Sequence, residues 1–408
     1  MAKILVLTSR VCYPPREGHQ LRTWHLLRAL AREHEIHLLS FARADDATDE
    51  AAPLRALVAS MQTFPIPSER SRFALAAGLV AATAASTPFV VKKYTSPALR
   101  AHAARLARTA DLIHVDMLPL MSAVVDIDAR VPLVLNAHNV EHELLRQRAE
   151  VETRALHRTF LRSQVGKLRD YEIAACRRAR LVLTCSQIDA NHLSSEGISQ
   201  TRVVPNGIDT QFNRPDPRPG ARPARLVFVG QMGWFPNADG MRWFLDDVFP
   251  RILAQRPETE LVVVGKSGGL EVPAGVAHRV RLAGFVDDVR AAVTEAGVYI
   301  VPLRAGSGTR LKVLEAMALG MPIVTTRVGA EGIDLEHGRN ALFAESADAF
   351  ADAVLELLAA PDKARHLGDA AHALAVARYD WEAIGAELLR DYRELLAPAS
   401  AEARARQR

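Results

Sequence analysis

The chain has 408 residues, 49% hydrophobic and 24% charged, which excludes a disordered, collagenous or membrane-embedded protein and predicts two or three globular domains. Three cysteines, Cys12, Cys176 and Cys185, are too few for a disulfide framework and form no CxxC pair, so reduced thiols in a cytoplasmic protein are expected. The net charge of +4 divides unevenly, with 27 Lys and Arg against 20 Asp and Glu up to Pro205 and 24 against 27 beyond it.

A basic front half suits an anionic partner, such as a phospholipid surface or a phosphorylated acceptor, as well as it suits a solvated face. No aromatic-interleaved basic motif accompanies the charge, so nucleic acid is not expected as a partner. The opening MAKILVLTSR runs straight into a strand-like stretch, and no leader peptide is expected. In the front half, short apolar runs predict strands over 3–8, 35–41, 112–116, 131–137 and 180–186. Between the first two, residues 21–32 have a helical pattern that puts Leu26, Leu27, Leu30 and Ala31 on one face. The apolar stretch FALAAGLVAATAASTPFVV (73–91) is Ala-rich and broken by Pro88, which predicts a helical hairpin rather than a membrane span. A basic helix between Arg154 and Arg180 offers a face either to anionic lipid or to solvent.

The run NRPDPRPGARP (213–223) has the composition of a linker. Beyond it, strands are predicted over 225–230, 260–265, 280–286, 298–303 and 322–326, and a closing helix over 381–396. Continuous apolar runs joined by helices imply parallel strands buried on both faces. The α/β pattern therefore predicts two Rossmann-like, doubly wound domains facing across a cleft, with the last helix crossing back to the first domain. Their expected bounds are 1–212 plus 381–396, and 224–380.

The most informative segment is LRAGSGTRLKVLEAMALGMPIVTT (303–326), a strand, a Gly-x-Gly turn, a helix and a second strand. Gly306 and Gly308, flanking Ser307, let backbone approach a ligand, and a helix starting near Thr309 offers free N–H groups to a phosphate. Arg310 and Lys312 place positive charge where the helix dipole disfavours it, which an anionic ligand explains better than helix stability does. Glu315 shares a face with Lys312, either as a surface ion pair or as an acceptor for vicinal hydroxyls. The run HNVEH (138–142) formally fits a zinc-protease pattern, but its first histidine falls in a loop after a strand and no third ligand is evident in the sequence. Asp126 and Asp128 form a DxD that reads as a turn; Trp234, Trp243 and Trp381 read as core or interface residues, and Cys185 as packing.

The segment LKVLEAMALGMPIVTT resembles the donor-site motif of family 4 retaining glycosyltransferases, which have the GT-B fold. VVPNGID (203–209), FVGQMGWFPN (228–237), LVVVGK (261–266), RLAGFVDDV (281–289) and YDWEAIGAELL (379–389) fall where that family has them. PPREGHQLRTWHLLRALA (14–31) is similar to a subgroup associated with bacterial exopolysaccharide assembly. The resemblance implies transfer of a sugar from a nucleotide diphosphate sugar to a glycan or lipid-linked acceptor hydroxyl, with retention, in the cytoplasm or at the inner face of the membrane. No cofactor or essential metal is implied. The first domain would then hold the acceptor and the second the donor. Glu315 matches the acid that holds the ribose, Gly18 the first-domain glycine turn near the diphosphate, Gly230 the glycine of FVG, and His138 the histidine near the transferring sugar. Arg310 and Lys312 would neutralise the leaving diphosphate. Two departures stand out: the earlier of the family's paired glutamates is Ser307 here, and Gln231 and Asn237 stand near two usual cations. A nucleotide-sugar epimerase and a silent nucleotide- or glycan-binding homologue remain as alternative readings.

Overall fold

A computed structural model describes residues 1–15, 17–43, 51–67, 86–128, 130–152, 154–215, 222–305 and 310–397. The chain divides into two compact units, Met1–Val204 with Gly385–Arg408, and Pro205–Ile384.

In the first unit seven parallel strands form one sheet: β1 (Lys3–Thr8), β2 (Glu35–Ala42), β3 (Ser60–Pro65), β4 (Leu112–Asp116), β5 (Leu133–Asn136), β6 (Leu181–Thr184) and β7 (Thr201–Val203). Their order is β3-β2-β1-β4-β5-β6-β7. Helices cover both faces, so β1 is buried from Ile4 through Thr8 and reads as a continuous apolar run. The second unit repeats the scheme with six strands: β8 (Arg222–Val229), β9 (Glu260–Val264), β10 (Val280–Gly284), β11 (Ala296–Val301), β12 (Ile323–Thr325) and β13 (Leu342–Phe343). Here the order is β10-β9-β8-β11-β12-β13, again parallel throughout. Each central strand falls within two or three residues of its expected place. β3, β7 and β13 were not anticipated: they are edge strands, and β3 exposes most of its side chains.

Helix starts follow local chemistry. Ser96, Ser186 and Ser346 each accept a backbone N–H three residues on, which caps an otherwise open helix end. The helix expected near Thr309 spans Leu311–Ala318, with Arg310 as its N-cap residue rather than in its first turn. Of the apolar stretch 73–91, residues 73–85 lie outside the described part, and Phe89–Lys93 forms a short helix. No helix among the described residues is long and apolar enough to cross a membrane. The basic helix forms as Ala155–Arg178, with Leu161 and Leu168 buried. Trp243 and Trp381 are buried as expected, but Trp234 is 60% exposed. Cys185 is buried packing, while Asp126 and Asp128 pair separately with Arg100 and Arg130, so they do not act as a joint cation site.

The closing helix Trp381–Leu396 begins in the second unit and from Gly385 belongs to the first. There it is joined to β4 by a short hydrogen bond between the buried Tyr392 hydroxyl and His114 Nδ1. Burial, offset in part by the Asp116 charge, lowers His114 to a pKa of about 4, so the ring is neutral at pH 7. Tyr392→Phe removes this bond and strands a buried ring nitrogen, so chemical denaturation should show a loss of about 1–3 kcal/mol.

Candidate active site

In a parallel sheet the polar ends of buried strands collect at the carboxyl edge, where ligands bind. The first unit follows this rule. Asp116 is the last residue of β4, Asn136 ends β5, and His138 lies two residues further on. Asp116 Oδ1 accepts from Asn136 Nδ2 at 2.6 Å and faces His138 Nε2 at 2.7 Å; Oδ2 accepts from Thr23 Oγ1 at 2.5 Å. Thr23 sits on the helix Gly18–Leu30, beside Arg22, which is 1% exposed. Arg22 donates to Asn136 Oδ1 from Nε at 3.2 Å and from the guanidinium end at 2.9 Å, and to the Val204 carbonyl at 2.7 Å.

Burial alone would push Asp116 up, but His138, His114 and the hydroxyl of Thr23 hold it well below the usual carboxylate range. An ionised Asp116 places the proton of His138 on Nε2, which leaves Nδ1 for a ligand. Met117, immediately after β4, has φ of 92°, an uncommon conformation for a residue with a side chain. Gly18 is exposed and opens its helix. Next to it His19 lies 3.4 Å from Glu17, and burial followed by the neighbouring His138 lowers its pKa.

In the second unit Gly230 follows β8 directly. A Cβ there would lie 2.7 Å from Lys312 Nζ and 2.8 Å from Asn237 Nδ2, so a larger residue would push the ammonium or the amide aside. Lys312 Nζ donates to Asn237 Oδ1 at 2.6 Å and sits 4.4 Å from the centre of the Phe228 ring. Asn237 Nδ2 in turn donates to the Gln231 carbonyl at 2.9 Å. Burial, then the nearby Arg310, lowers Lys312 to about 7.

Glu315, one turn along, makes no ion pair with Lys312 among the described residues, so the surface-pair reading is set aside. Its half-buried carboxylate has no hydrogen-bond partner among them either, and burial followed by the Asp288 charge raises it to about 7. Arg310, 8% exposed, approaches Glu331 at 3.5 Å. Gly306, Ser307, Gly308 and Thr309 lie outside the described residues.

The structure thus gathers Gly230 and Lys312 around one ammonium and sets Glu315 on the same helix, while His138 belongs to the Asp116 network. Asp116, Asn136, Arg22 and Thr23 were missed by sequence reasoning. The signal available was a polar residue ending each of two apolar runs, LIHVD and LVLN.

Residues 17–212 match the family described as Glycosyltransferase Family 4, and residues 223–360 match Glycosyl transferases group 1. The chain is 29% identical over 199 residues to phosphatidyl-myo-inositol mannosyltransferase of Mycobacterium leprae, covering 46% of this chain and 52% of that one. It is 30% identical over 211 residues to a GDP-mannose-dependent alpha-(1-6)-phosphatidylinositol monomannoside mannosyltransferase of Mycobacterium tuberculosis, covering 45% and 54%. These matches span about half the length of the curated relatives. Among solved structures, sucrose-phosphate synthase from Thermosynechococcus elongatus superposes with a TM-score of 0.67 at 20% identity, covering 97% and 99% of the two chains. Anabaena HepE in complex with UDP-glucose superposes with 0.62 at 18% identity, covering 97% and 100%. Both likenesses establish the GT-B fold.

Because its folded-state pKa is depressed, Asp116 stabilises the fold above the ordinary carboxylate range, and that stability is lost progressively as pH falls from there through the lower folded-state pKa. Asp116→Asn should therefore lower stability at pH 7 by about 3 kcal/mol and flatten the acid limb of the stability–pH curve, both measurable by urea unfolding.

Proposed function

The chain belongs to the family 4 glycosyltransferases, and on that premise we propose that it moves a sugar from a nucleoside-diphosphate sugar to an acceptor hydroxyl, with retention of anomeric configuration. The observation that carries this reading is the Lys312 ammonium, held over Gly230 by a neutral amide and an aromatic face rather than by a carboxylate. A cation so held is not paired with a carboxylate, and an anionic ligand would supply the missing counter-charge. Glu315, half-buried and without a hydrogen-bond partner among the described residues, is a fitting acceptor for vicinal ribose hydroxyls.

In the reaction, the bond from the anomeric carbon to a diphosphate oxygen breaks and its electron pair moves to the diphosphate, while the acceptor hydroxyl oxygen bonds the anomeric carbon and its proton passes to the departing diphosphate. Lys312 and Arg310 stabilise that charge, and such preorganised electrostatic stabilisation does more for the rate than any other effect at a site of this kind. In the first unit His138 offers Nδ1 to the transferring sugar, its orientation set by Asp116. The charge of Lys312 and Arg310 serves in place of a metal in the transfer step. Gly306, Ser307, Gly308, Thr309 and Gly18 are assigned to donor binding in this proposal. The relatives named for phosphatidylinositol acceptors favour a lipid-linked glycan acceptor, which the basic front half suits.

Nucleoside diphosphates should raise the melting temperature of the wild-type chain. At 100 times the dissociation constant the gain is about 2.7 kcal/mol, and Glu315→Ala should abolish it. A trianionic ligand raises the pKa of Lys312 above 7, so binding at pH 8 should take up a proton. Calorimetry in buffers of different ionisation enthalpy measures that uptake, and affinity should weaken as pH rises further. Lys312→Ala and Gly230→Ala should each lower the rate of sugar transfer by about two orders of magnitude, the second because its new methyl displaces the ammonium. Transfer unchanged in both variants would refute this donor site.

A further inference from the structure

The two histidines of HNVEH part company in the fold. His138 turns to Asp116, whereas His142, on the helix Glu141–Val151, meets His192 on the helix Gln187–Ser195. One ligand atom each of His142, His192 and Glu196 lies within 4.8 Å of the other two. His192 and Glu196 are four residues apart at a helix end, so one turn brings both to the same face. His138 is thus no member of the cluster, and the two partners of His142 come from 50 and 54 residues further along the chain.

The surroundings orient these groups. His142 Nδ1 pairs with Glu172 Oε2 at 2.6 Å, and Glu172, 1% exposed, also accepts the backbone N–H groups of Glu141 and His142 at 2.9 and 3.0 Å. That carboxylate keeps the proton on Nδ1 and turns Nε2 into the free lone pair, the support that metal-binding histidines characteristically have behind them. The His192 ring makes no hydrogen bond among the described residues; its neighbour is the His142 ring, 5.3 Å away between centroids. Arg169 forks onto the two oxygens of Glu196 at 2.8 and 2.5 Å, and each oxygen retains a second lone pair.

We propose that His142, His192 and Glu196 bind one divalent transition-metal ion of the zinc class, with water as the fourth ligand and Glu172 as the positioning residue. Two imidazoles and a carboxylate are the donor set such an ion takes in tetrahedral geometry. Zinc bonds of about 2.0–2.1 Å place ligand atoms about 3.4 Å apart, so binding closes the cluster by side-chain rotation of roughly an ångström. The ion clamps the helix that starts just after His138 to the end of the Gln187–Ser195 helix. It takes no part in sugar transfer, and the inference stands whether or not the donor-site reading does.

The test is titration of the untagged, chelator-stripped full chain with Co2+, followed by Zn2+. One equivalent of Co2+ should give the intense visible bands of a tetrahedral site, and Zn2+ should displace them. His192→Ala and Glu196→Gln should each lose the bands, and Glu172→Gln should weaken binding ten- to a hundred-fold. His366→Ala, at an exposed histidine of the other unit, should leave them unchanged. Wild-type chain that takes up no stoichiometric Co2+, or uptake that survives in folded His192→Ala or Glu196→Gln, overturns the proposal. Because the wild-type titration decides by itself, a variant that failed to fold would not rescue it.

Discussion

Asp116 carries a full negative charge into the interior of the first unit, and much of the surrounding structure exists to satisfy it. A buried carboxylate is tolerated only where hydrogen bonds replace its water. Here three side chains do so, from β5, from the loop after it and from the first helix. Asn136 is the pivot. Its amide nitrogen serves Asp116 while its oxygen takes two bonds from Arg22, so one neutral group stands between a buried anion and a buried cation. The same network orients His138 and touches β4, whose His114 bonds the closing helix. Positioning of the histidine and attachment of the C-terminal helix to this sheet are therefore one construction.

The second unit is built on the opposite principle. Lys312 has an amide and a ring for neighbours, and Glu315 has no hydrogen-bond partner among the described residues. Partial burial moves both groups toward neutrality, to about 7 from opposite sides. Groups left so incompletely served in a folded protein are characteristic of ligand sites, since structural polar networks tend to close on themselves. Asn237 stands near a usual cation position of the family, and here it holds the ammonium of Lys312 instead. Lys312 thus brings a positive charge from the helix after β11 close to the residues that follow β8.

Legibility of the fold tracked burial. Central strands such as Lys3–Thr8 and Leu112–Asp116 are covered on both faces, so their apolar runs are unbroken and their limits readable. Ser60–Pro65 and Leu342–Phe343 lie at sheet edges, where one neighbour and partial exposure leave no periodic signal. In the helix Gly18–Leu30 the leucine face was evident, but the burial of Arg22 and Thr23 was not. Polar residues in a helix read as solvent-facing until a second element brings a charge to meet them.

By itself the sequence determined the doubly wound α/β class, the two-unit plan and the family, because apolar runs and motif spacing are local. It singled out Lys312 and Glu315 as candidates by charge at a helix start, and Gly230 and His138 by resemblance to that family. Tertiary structure alone decided which partners those residues have. Asp116 and His138 are 22 positions apart, Asn237 and Lys312 are 75 apart, and His142 meets His192 across 50. Such pairings depend on strand order and helix packing, and a charge 75 residues distant leaves no trace in the spacing of its partner's neighbours.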